Sequence, residues 1–240
     1  MSMMTFVYVI GLIKNDYSVI DIFWPLGFLL LVLFLDIKAG CTNQQLVKFF
    51  VTFWALRLSP YLLYRIIKKG PDLRYKELQL AWGKSHRVHA FFKVFMLQGF
   101  LMFLIAMPII TGQYCIDNNT FLKILGIVLC IIGICLESAA DLSLYLFKQK
   151  KENAGKYLMT GLYKYSRHPN YLGELLFWYG IACLTVQNPY FYLTILGPLV
   201  LTYALYKFSG VPYAERNHHK SAIFREYAKK TGAIFPKFWQ

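Results

Sequence analysis

Long apolar runs set the limits on what this chain can fold into. Several of them approach the roughly 20 residues that an α-helix needs to cross the hydrocarbon core of a bilayer. Of the 240 residues, 57% are hydrophobic and only 16% are charged, whereas a typical soluble domain has about 25% charged residues. A helix satisfies all of its backbone polar groups internally, which lipid requires. The sequence therefore predicts an all-α, multi-pass integral membrane protein.

Seven apolar segments are separated by more polar connections. They cover residues 2–14, 18–35, 45–66, 89–110, 120–147, 172–187 and 189–208. The first and the sixth are short for a full crossing, and whether the first one spans the membrane stays open. Because no repeat and no boundary interrupts the pattern, we expect one transmembrane domain over residues 1–240.

The positive charge is concentrated in three of the connections. Residues 65–88, 148–173 and 207–240 contain seven, six and seven of the 26 Lys and Arg residues. Cytoplasmic loops carry such an excess under the positive-inside rule. Seven crossings then place the N-terminus outside and the C-terminus in the cytoplasm. We expect the three connections to cap one cofactor site at the membrane surface.

The same distribution bears on the partners and the location of the protein. The net charge of +14 comes from Lys and Arg residues that lie mainly in the connections between the apolar segments. We therefore expect the protein to contact membrane lipids and no nucleic acid. The five cysteines are scattered without metal-ligand spacing, so we expect no metal. We expect the membrane to be the bacterial inner membrane, or the endoplasmic reticulum if the source is a eukaryote.

Ionisable residues inside the apolar segments are candidates for function, because each one costs at least about 2.5 kcal/mol to insert. Asp21 lies early in the second segment and Arg57 lies deep in the third. Arg57 needs a partner, and Asp21, Glu137 or an anionic ligand are the alternatives. Glu137 and Asp141 are four residues apart and share one helix face, where a purely structural role is equally open.

A polar stretch, GLYKYSRHPNYLG over residues 161–173, lies between two strongly apolar segments. It places Lys164, Arg167, His168 and Asn170 within seven residues, and Glu174 follows directly. Cations, an amide, an imidazole and aromatic rings in one stretch favour a pocket for an anionic, planar ligand. A basic cytoplasmic loop without a ligand is the alternative, and Glu174 also suits a helix N-terminus.

Together these pieces resemble the membrane steroid 5-alpha-reductase-like enzymes, and most closely their bacterial branch. The similarity runs in order through nearly the whole chain. Its pieces are Val19-Ile20-Asp21-x-x-Trp24, Trp54-Ala55-x-Arg57-Leu58, Arg74-Tyr75, Gln98, Glu137-x-x-Ala140-Asp141, the run from Gly161 to Glu174, Ser209-Gly210-Val211-Pro212, Phe224-x-x-Tyr227 and Pro236.

The resemblance implies a helical frame around a lipid-facing cavity, with NADPH entering from the cytoplasmic side. It implies NADPH-dependent reduction of an activated carbon–carbon double bond in a lipophilic, steroid- or enone-like substrate, with a protein acid assisting. The residues that it assigns to the cofactor site are Arg167, His168, Asn170, Tyr171, Glu174 and Tyr227. A phosphate would be reached by Arg74 and by His218, with His219 and Lys220 as alternatives to His218.

Two departures from the family pattern affect the substrate end. The steroid reductases have Tyr-x-x-Arg on the third crossing, where this chain has Trp54-x-x-Arg57, and their Gln-Glu pair has no counterpart before Asp21. The family's Ala-Asp-x-Gln reads Ala140-Asp141-Leu142-Ser143. Asp21 and Arg57 are therefore the predicted catalytic residues.

Two other functions stay open. Isoprenylcysteine and phospholipid methyltransferases share an Arg-His-Pro-x-Tyr-x-Gly stretch, but they use S-adenosylmethionine. Asn170 after the proline favours the reductases, because an amide can pair with a nicotinamide carboxamide. A non-enzymatic lipid-binding protein or small transporter is the second alternative. The sequence does not select one lipophilic substrate.

Overall fold

The computed structural model describes residues 1–36, 42–116 and 119–237. These residues form two compact units, unit 1 from residues 1–118 and 184–197, and unit 2 from residues 119–183 and 198–240. The α-helices are α1 (Ser2–Lys14), α2 (Val19–Asp36), α3 (Thr42–Lys69), α4 (Leu73–Trp82), α5 (His86–Ala90), α6 (Leu97–Ile105), α7 (Met107–Thr111), α8 (Thr120–Gln149), α9 (Pro169–Thr185), α10 (Phe191–Tyr203), α11 (Val211–Glu215) and α12 (Ala222–Lys230).

Shorter helical pieces join or extend these helices. π-Helical segments cover Phe91–Met96 and Ala204–Phe208. Turns of 3₁₀-helix cover Gly83–Ser85, Gly112–Tyr114, Lys151–Asn153, Gly161–Lys164 and His218–Lys220. Each of the seven apolar segments coincides with helix, and the all-α prediction is confirmed.

The protein is a multi-pass integral membrane protein. Within the described residues, four helical stretches are long and apolar enough to cross a membrane: Gln44–Lys68, Leu73–Ile105, Thr120–Gln149 and Phe191–Glu215. Ser2–Lys14 and Val19–Leu35 are shorter apolar helices. The count of seven crossings and the orientation of the termini stay predictions, as does the single domain.

In unit 1, α2 packs along α3 through large aromatic side chains. Trp54 of α3 is fully buried, and its ring lies 6.0 Å from that of Phe28 on α2. The opposite side of α3 exposes Phe49, Phe53 and Leu56, which are 62%, 54% and 57% exposed. Their spacing of four and three residues places them on one face, as expected for a helix that contacts lipid.

In unit 2, α8 and α9 cross with their backbones in contact. A Cβ at Gly133 would lie 2.6 Å from the backbone nitrogen of Phe177, and one at Gly173 would lie 2.6 Å from that of Glu137. Only hydrogen fits at these positions. Close approach through small residues is a common basis of helix packing in membranes.

The end of the described chain is attached to the Arg-His-Pro stretch. The backbone nitrogens of Arg167 and His168 donate to the carbonyls of Gly232 and Ala233 at 2.9 and 3.0 Å. Pro169 then begins α9, where its missing N–H is not needed and its fixed φ favours the first turn. The polar stretch of residues 161–173 is therefore an ordered junction.

Candidate functional site

A polar cluster in unit 1 gathers residues from three helices around the hydroxyl of Tyr75. This hydroxyl donates to Oδ1 of Asp21 at 2.7 Å. It accepts from Nη2 of Arg74 at 2.9 Å and from Nε2 of Gln98 at 3.3 Å. Arg74 also forms an ion pair with Asp21, with Nη2 3.3 Å from Oδ2. We call these four residues the Tyr75 cluster.

Local structure explains how the cluster forms. The carboxylate of Asp72 accepts from the backbone nitrogen of Arg74 at 2.9 Å and caps α4, which fixes Arg74 and Tyr75 in the first turn. The π-helical segment Phe91–Met96 precedes Gln98 and changes the register with which α6 presents its side chains. Such segments are frequent at functional sites.

The geometry suits the transfer of a proton. Tyr75 is only 3% exposed, whereas the side chains of Asp21 and Arg74 are 18% and 30% exposed. The guanidinium carbon of Arg74 also lies 4.5 Å from the centre of the Tyr75 ring. If the phenol gives up its proton, the N–H groups of Arg74 and Gln98 stabilise the negative charge that develops on its oxygen.

A second polar cluster, in unit 2, surrounds the carboxylate of Glu215. Arg167 binds it through Nε and Nη2 at 2.7 and 3.0 Å. His168 contacts it through Nε2 at 2.9 Å and His219 through Nε2 at 3.2 Å. The Nη1 of Arg167 also donates to the carbonyls of Ala228 and Thr231. These contacts give Arg167 and His168 a role in holding α11 and the segment after α12.

Asp141 and Asn170 form a smaller pair in unit 2. Nδ2 of Asn170 lies 3.4 Å from Oδ1 of Asp141, and Asp141 and Glu137 are 8% and 4% exposed. The ring of Tyr171 stacks on that of His168, with 4.9 Å between centres and 14° between planes. Glu174 lies in the next turn of α9 and is partly exposed.

Tyr227 and His218 belong to the aromatic packing of unit 2. The hydroxyl of Tyr227 donates to the carbonyl of Tyr163, and burial raises the pKa of Tyr227 to about 12. The ring of His218 lies 5.1 Å from that of Tyr157 and 5.2 Å from that of Phe224. Tyr227 is therefore a packed, neutral phenol, and His218 lies at an exposed edge.

The structure divides the predicted site residues between the two units. Seven of the predicted cofactor residues lie in unit 2, whereas Arg74 joins the predicted catalytic Asp21 in the Tyr75 cluster. Arg57 is half-buried on α3. The roles of all ten residues stay predictions.

Sequence reasoning did not select three residues that the structure makes prominent, namely Tyr75, Gln98 and Glu215. Tyr75 and Gln98 occur in the motifs that resemble the reductase superfamily, and nothing else in the sequence indicated a function for them. Glu215 lies in the polar tail, without a pattern around it. Within the described ranges, no group of three or more His, Cys, Asp or Glu side chains could hold a metal ion.

Polar clusters of this kind, among the helices of a membrane protein, are typical of membrane enzymes. The family model described as "Protein of unknown function (DUF1295)" matches residues 7–231. The chain belongs to this family, which is part of the steroid 5-alpha-reductase-like superfamily.

One curated relative is the Protein-S-isoprenylcysteine O-methyltransferase of Saccharomyces cerevisiae. It is 31% identical over 123 residues, a stretch that covers 47% of this chain and 48% of that protein. The chain therefore spans about half the length of the curated relative that it matches. No solved structure matches the chain.

Proposed function

We propose that this protein reduces an activated carbon–carbon double bond in a lipophilic substrate, with NADPH as the reductant. The Tyr75 cluster carries the proposal. Reduction of such a bond adds a hydride to one carbon and a proton to the other, so the enzyme needs a proton donor. Tyr75, hydrogen-bonded to Asp21 and supported by Arg74 and Gln98, is suited to that task.

The residues of unit 2 fit a dinucleotide cofactor. The amide of Asn170 beside the carboxylate of Asp141 offers the donors and acceptors that a carboxamide requires. Exposed cationic or titratable side chains of unit 2 suit phosphate groups: Lys148, Lys164, Arg216, His218 and Lys220. NADPH held by these residues would supply the hydride.

The chain's own residues handle the proton. Tyr75 donates its hydroxyl proton to the carbon that bears developing negative charge. Arg74 and Gln98 stabilise the phenolate. The carboxylate of Asp21, which is 18% exposed, would take up a proton from solvent and pass it to the phenolate oxygen. A substrate carbonyl conjugated to the double bond would present the negative charge as an enolate. In this proposal Arg74 acts in the Tyr75 cluster, and the phosphate contact expected of it from the sequence stays a prediction.

Methyl transfer from S-adenosylmethionine is the second candidate, and the methyltransferase relative favours it. Transfer of a methyl group to an oxygen that is already anionic requires no proton donor. The Tyr75 cluster would then have no chemical task, so its presence supports reduction. Lipid binding without catalysis also leaves this cluster without a task.

Cofactor binding separates the candidates. Purified protein should quench or shift NADPH fluorescence at low micromolar concentration, which corresponds to about −8 kcal/mol of binding free energy. Asn170→Ala should abolish the response, whereas Asn153→Ala, which removes an amide bonded to the Phe147 carbonyl, should retain it. Saturable binding of S-adenosylmethionine without any response to NADPH would disprove the reductase proposal.

Turnover is then measured as NADPH oxidation with a panel of lipophilic enones. Oxidation that depends on both the enone and Asn170 supports the proposal. NADPH binding without oxidation of any enone on the panel would contradict the assigned substrate class.

A further inference from the structure

One side of α4 packs against the rest of unit 1. Tyr75 hydrogen-bonds to Asp21, and the ring of Trp82 stacks on that of His89, with 5.6 Å between centres and 22° between planes. Tyr75 and Trp82 are seven positions apart and therefore lie on the same side of the helix. The contacts at both ends of α4 fix which side faces the protein and which side faces outward.

The outward side of α4 combines leucine with charged residues. Leu73 and Leu80, also seven positions apart, are 71% and 83% exposed. Lys76 and Glu77 lie between them on the same side and are exposed as well. We call these four residues the leucine-lysine face. Such exposed leucines are unfavourable in water, whereas the charges between them are unfavourable in the hydrocarbon core of a bilayer.

The position of α4 along the chain explains this mixture. The stretch Gln44–Lys68 is long and apolar enough to cross a membrane, and α4 begins shortly after it, at Leu73. The next such stretch, Leu73–Ile105, has 33 residues, about 13 more than a crossing requires. Two crossings joined through α4 place this helix at the membrane surface, where leucine reaches acyl chains and lysine reaches headgroups.

Cations outnumber carboxylates around the leucine-lysine face. Asp72 is half-buried and caps α4 by accepting from the backbone nitrogen of Arg74. Each Lys or Arg near a membrane surface strengthens its attraction to anionic headgroups about fivefold. In the described residues 65–88 the exposed carboxylate is that of Glu77, and the exposed cations are Lys68, Lys76, Lys84 and Arg87.

We propose that the leucine-lysine face of α4 is a binding surface for anionic phospholipid. Leu73 and Leu80 insert at the edge of the acyl chains, and Lys76, with the cations before and after α4, binds headgroup phosphates. The inference does not depend on the proposed reaction. It bears on the Tyr75 cluster nevertheless, because α4 carries Tyr75 on its other side, so lipid that holds α4 also steadies this side chain.

The first experiment uses position 80 as a reporter. A bimane fluorophore is attached to Leu80→Cys, in protein whose own cysteines are replaced by alanine, within phosphatidylcholine nanodiscs. Brominated phosphatidylcholine and brominated phosphatidylglycerol should both quench the bimane, and phosphatidylglycerol should do so at a lower mole fraction. Lys76→Gln should reduce this preference about fivefold. Glu77→Gln is the matched control, because it removes a negative charge from the same turn and should preserve or increase the preference.

Three results would overturn the inference. Quenching by neither lipid would show that the leucine-lysine face does not contact the bilayer. Cross-linking of two Leu80→Cys chains to each other would make a second copy of the chain the occupant. Equal quenching by the two lipids, unchanged in Lys76→Gln, would refute the selection of anionic headgroups.

The second experiment uses the unmodified protein, so it does not depend on the cysteine replacements. Backbone hydrogen exchange of residues 73–82 is measured by mass spectrometry in phosphatidylcholine nanodiscs with and without phosphatidylglycerol. Phosphatidylglycerol should slow this exchange about fivefold or more, and about 1 M NaCl, which shortens the Debye length to about 3 Å, should remove most of the difference. Residues 97–105 of α6 are the control and should exchange alike in both bilayers. Equal exchange of residues 73–82 in the two bilayers would also overturn the inference.

Discussion

Arg167 holds the carboxylate of Glu215 through two nitrogens of its guanidinium, at 2.7 and 3.0 Å. The two residues are 48 positions apart, and the contact joins the Arg-His-Pro stretch to α11. Paired N–H bonds of this kind are among the strongest that side chains form. Because Glu215 is only 4% exposed, removing it would leave a cation largely out of water without its partner.

Glu215→Ala should therefore lower the free energy of unfolding by about 3 kcal/mol or more. The measurement is thermal or chemical unfolding of the purified protein in detergent. Glu226→Ala is the control, because Glu226 pairs with Lys230 where both side chains are more than half exposed, and it should change stability by about 1 kcal/mol or less. Equal effects of the two variants would show that the Glu215 cluster contributes little to stability.

Gly173→Ala should destabilise the crossing of α8 and α9. The added Cβ would lie 2.6 Å from the backbone nitrogen of Glu137 and 2.7 Å from the carbonyl of Gly133, and backbone cannot move aside cheaply. We expect a loss of about 1–3 kcal/mol, measured by unfolding. Gly99→Ala is the control, because there the added Cβ would meet the flexible side chain of Met4, at 2.9 Å, which can move aside. An equally large loss of unfolding free energy in Gly99→Ala would show that the backbone contact of Gly173 is not the cause.

The high pKa of Tyr227 predicts a dependence of stability on pH. Burial raises this pKa to about 12 in the folded protein, above the value of about 10 for a free tyrosine. The stabilisation is thus fully present below pH 10 and is lost as the pH rises towards 12. The stability difference between the unmodified protein and Tyr227→Phe should shrink over that interval in unfolding measurements. If this stability difference stayed constant over the interval, Tyr227 would not be a buried, neutral phenol in the folded protein.

Tyr75→Phe and Asp21→Asn should remove turnover while leaving NADPH binding intact. Loss of the acid should lower kcat by about 10²–10⁴, with the fluorescence response to NADPH unchanged. Tyr114→Phe, which alters an exposed tyrosine of unit 1, should keep full activity. Turnover that survives in Asp21→Asn would assign Asp21 a structural role.

The sequence predicted the helices well because membrane insertion leaves a strong signal in composition. All seven apolar segments coincide with helix, and Pro169 begins α9 three residues before the predicted position of 172. The π-helical segment Phe91–Met96 was not predictable, because hydropathy does not distinguish a π-helical turn from an α-helical one. Nor did hydropathy predict that α3 continues to Lys69 and that α4 follows within the connection 65–88.

The candidate site was predicted less completely, since its contacts join distant residues. The insertion cost of a carboxylate pointed to Asp21, but nothing in the sequence indicated that Tyr75, 54 positions away, would hydrogen-bond to it. The basic stretch pointed to Arg167 and His168 as ligand-binding residues. Their observed partner, Glu215, is one of two glutamates in a polar tail, and only the folded chain shows the pairing.

The glycine contact between α8 and α9 has a consequence for engineering. With no side chain between the two backbones, these helices cannot slide or separate without losing their packing, so Asp141 on α8 and Asn170 on α9 keep a fixed separation. Libraries that aim to change substrate preference should therefore hold Gly133 and Gly173 constant. Diversity is better placed at side chains around the Tyr75 cluster, where replacements alter shape without moving a backbone.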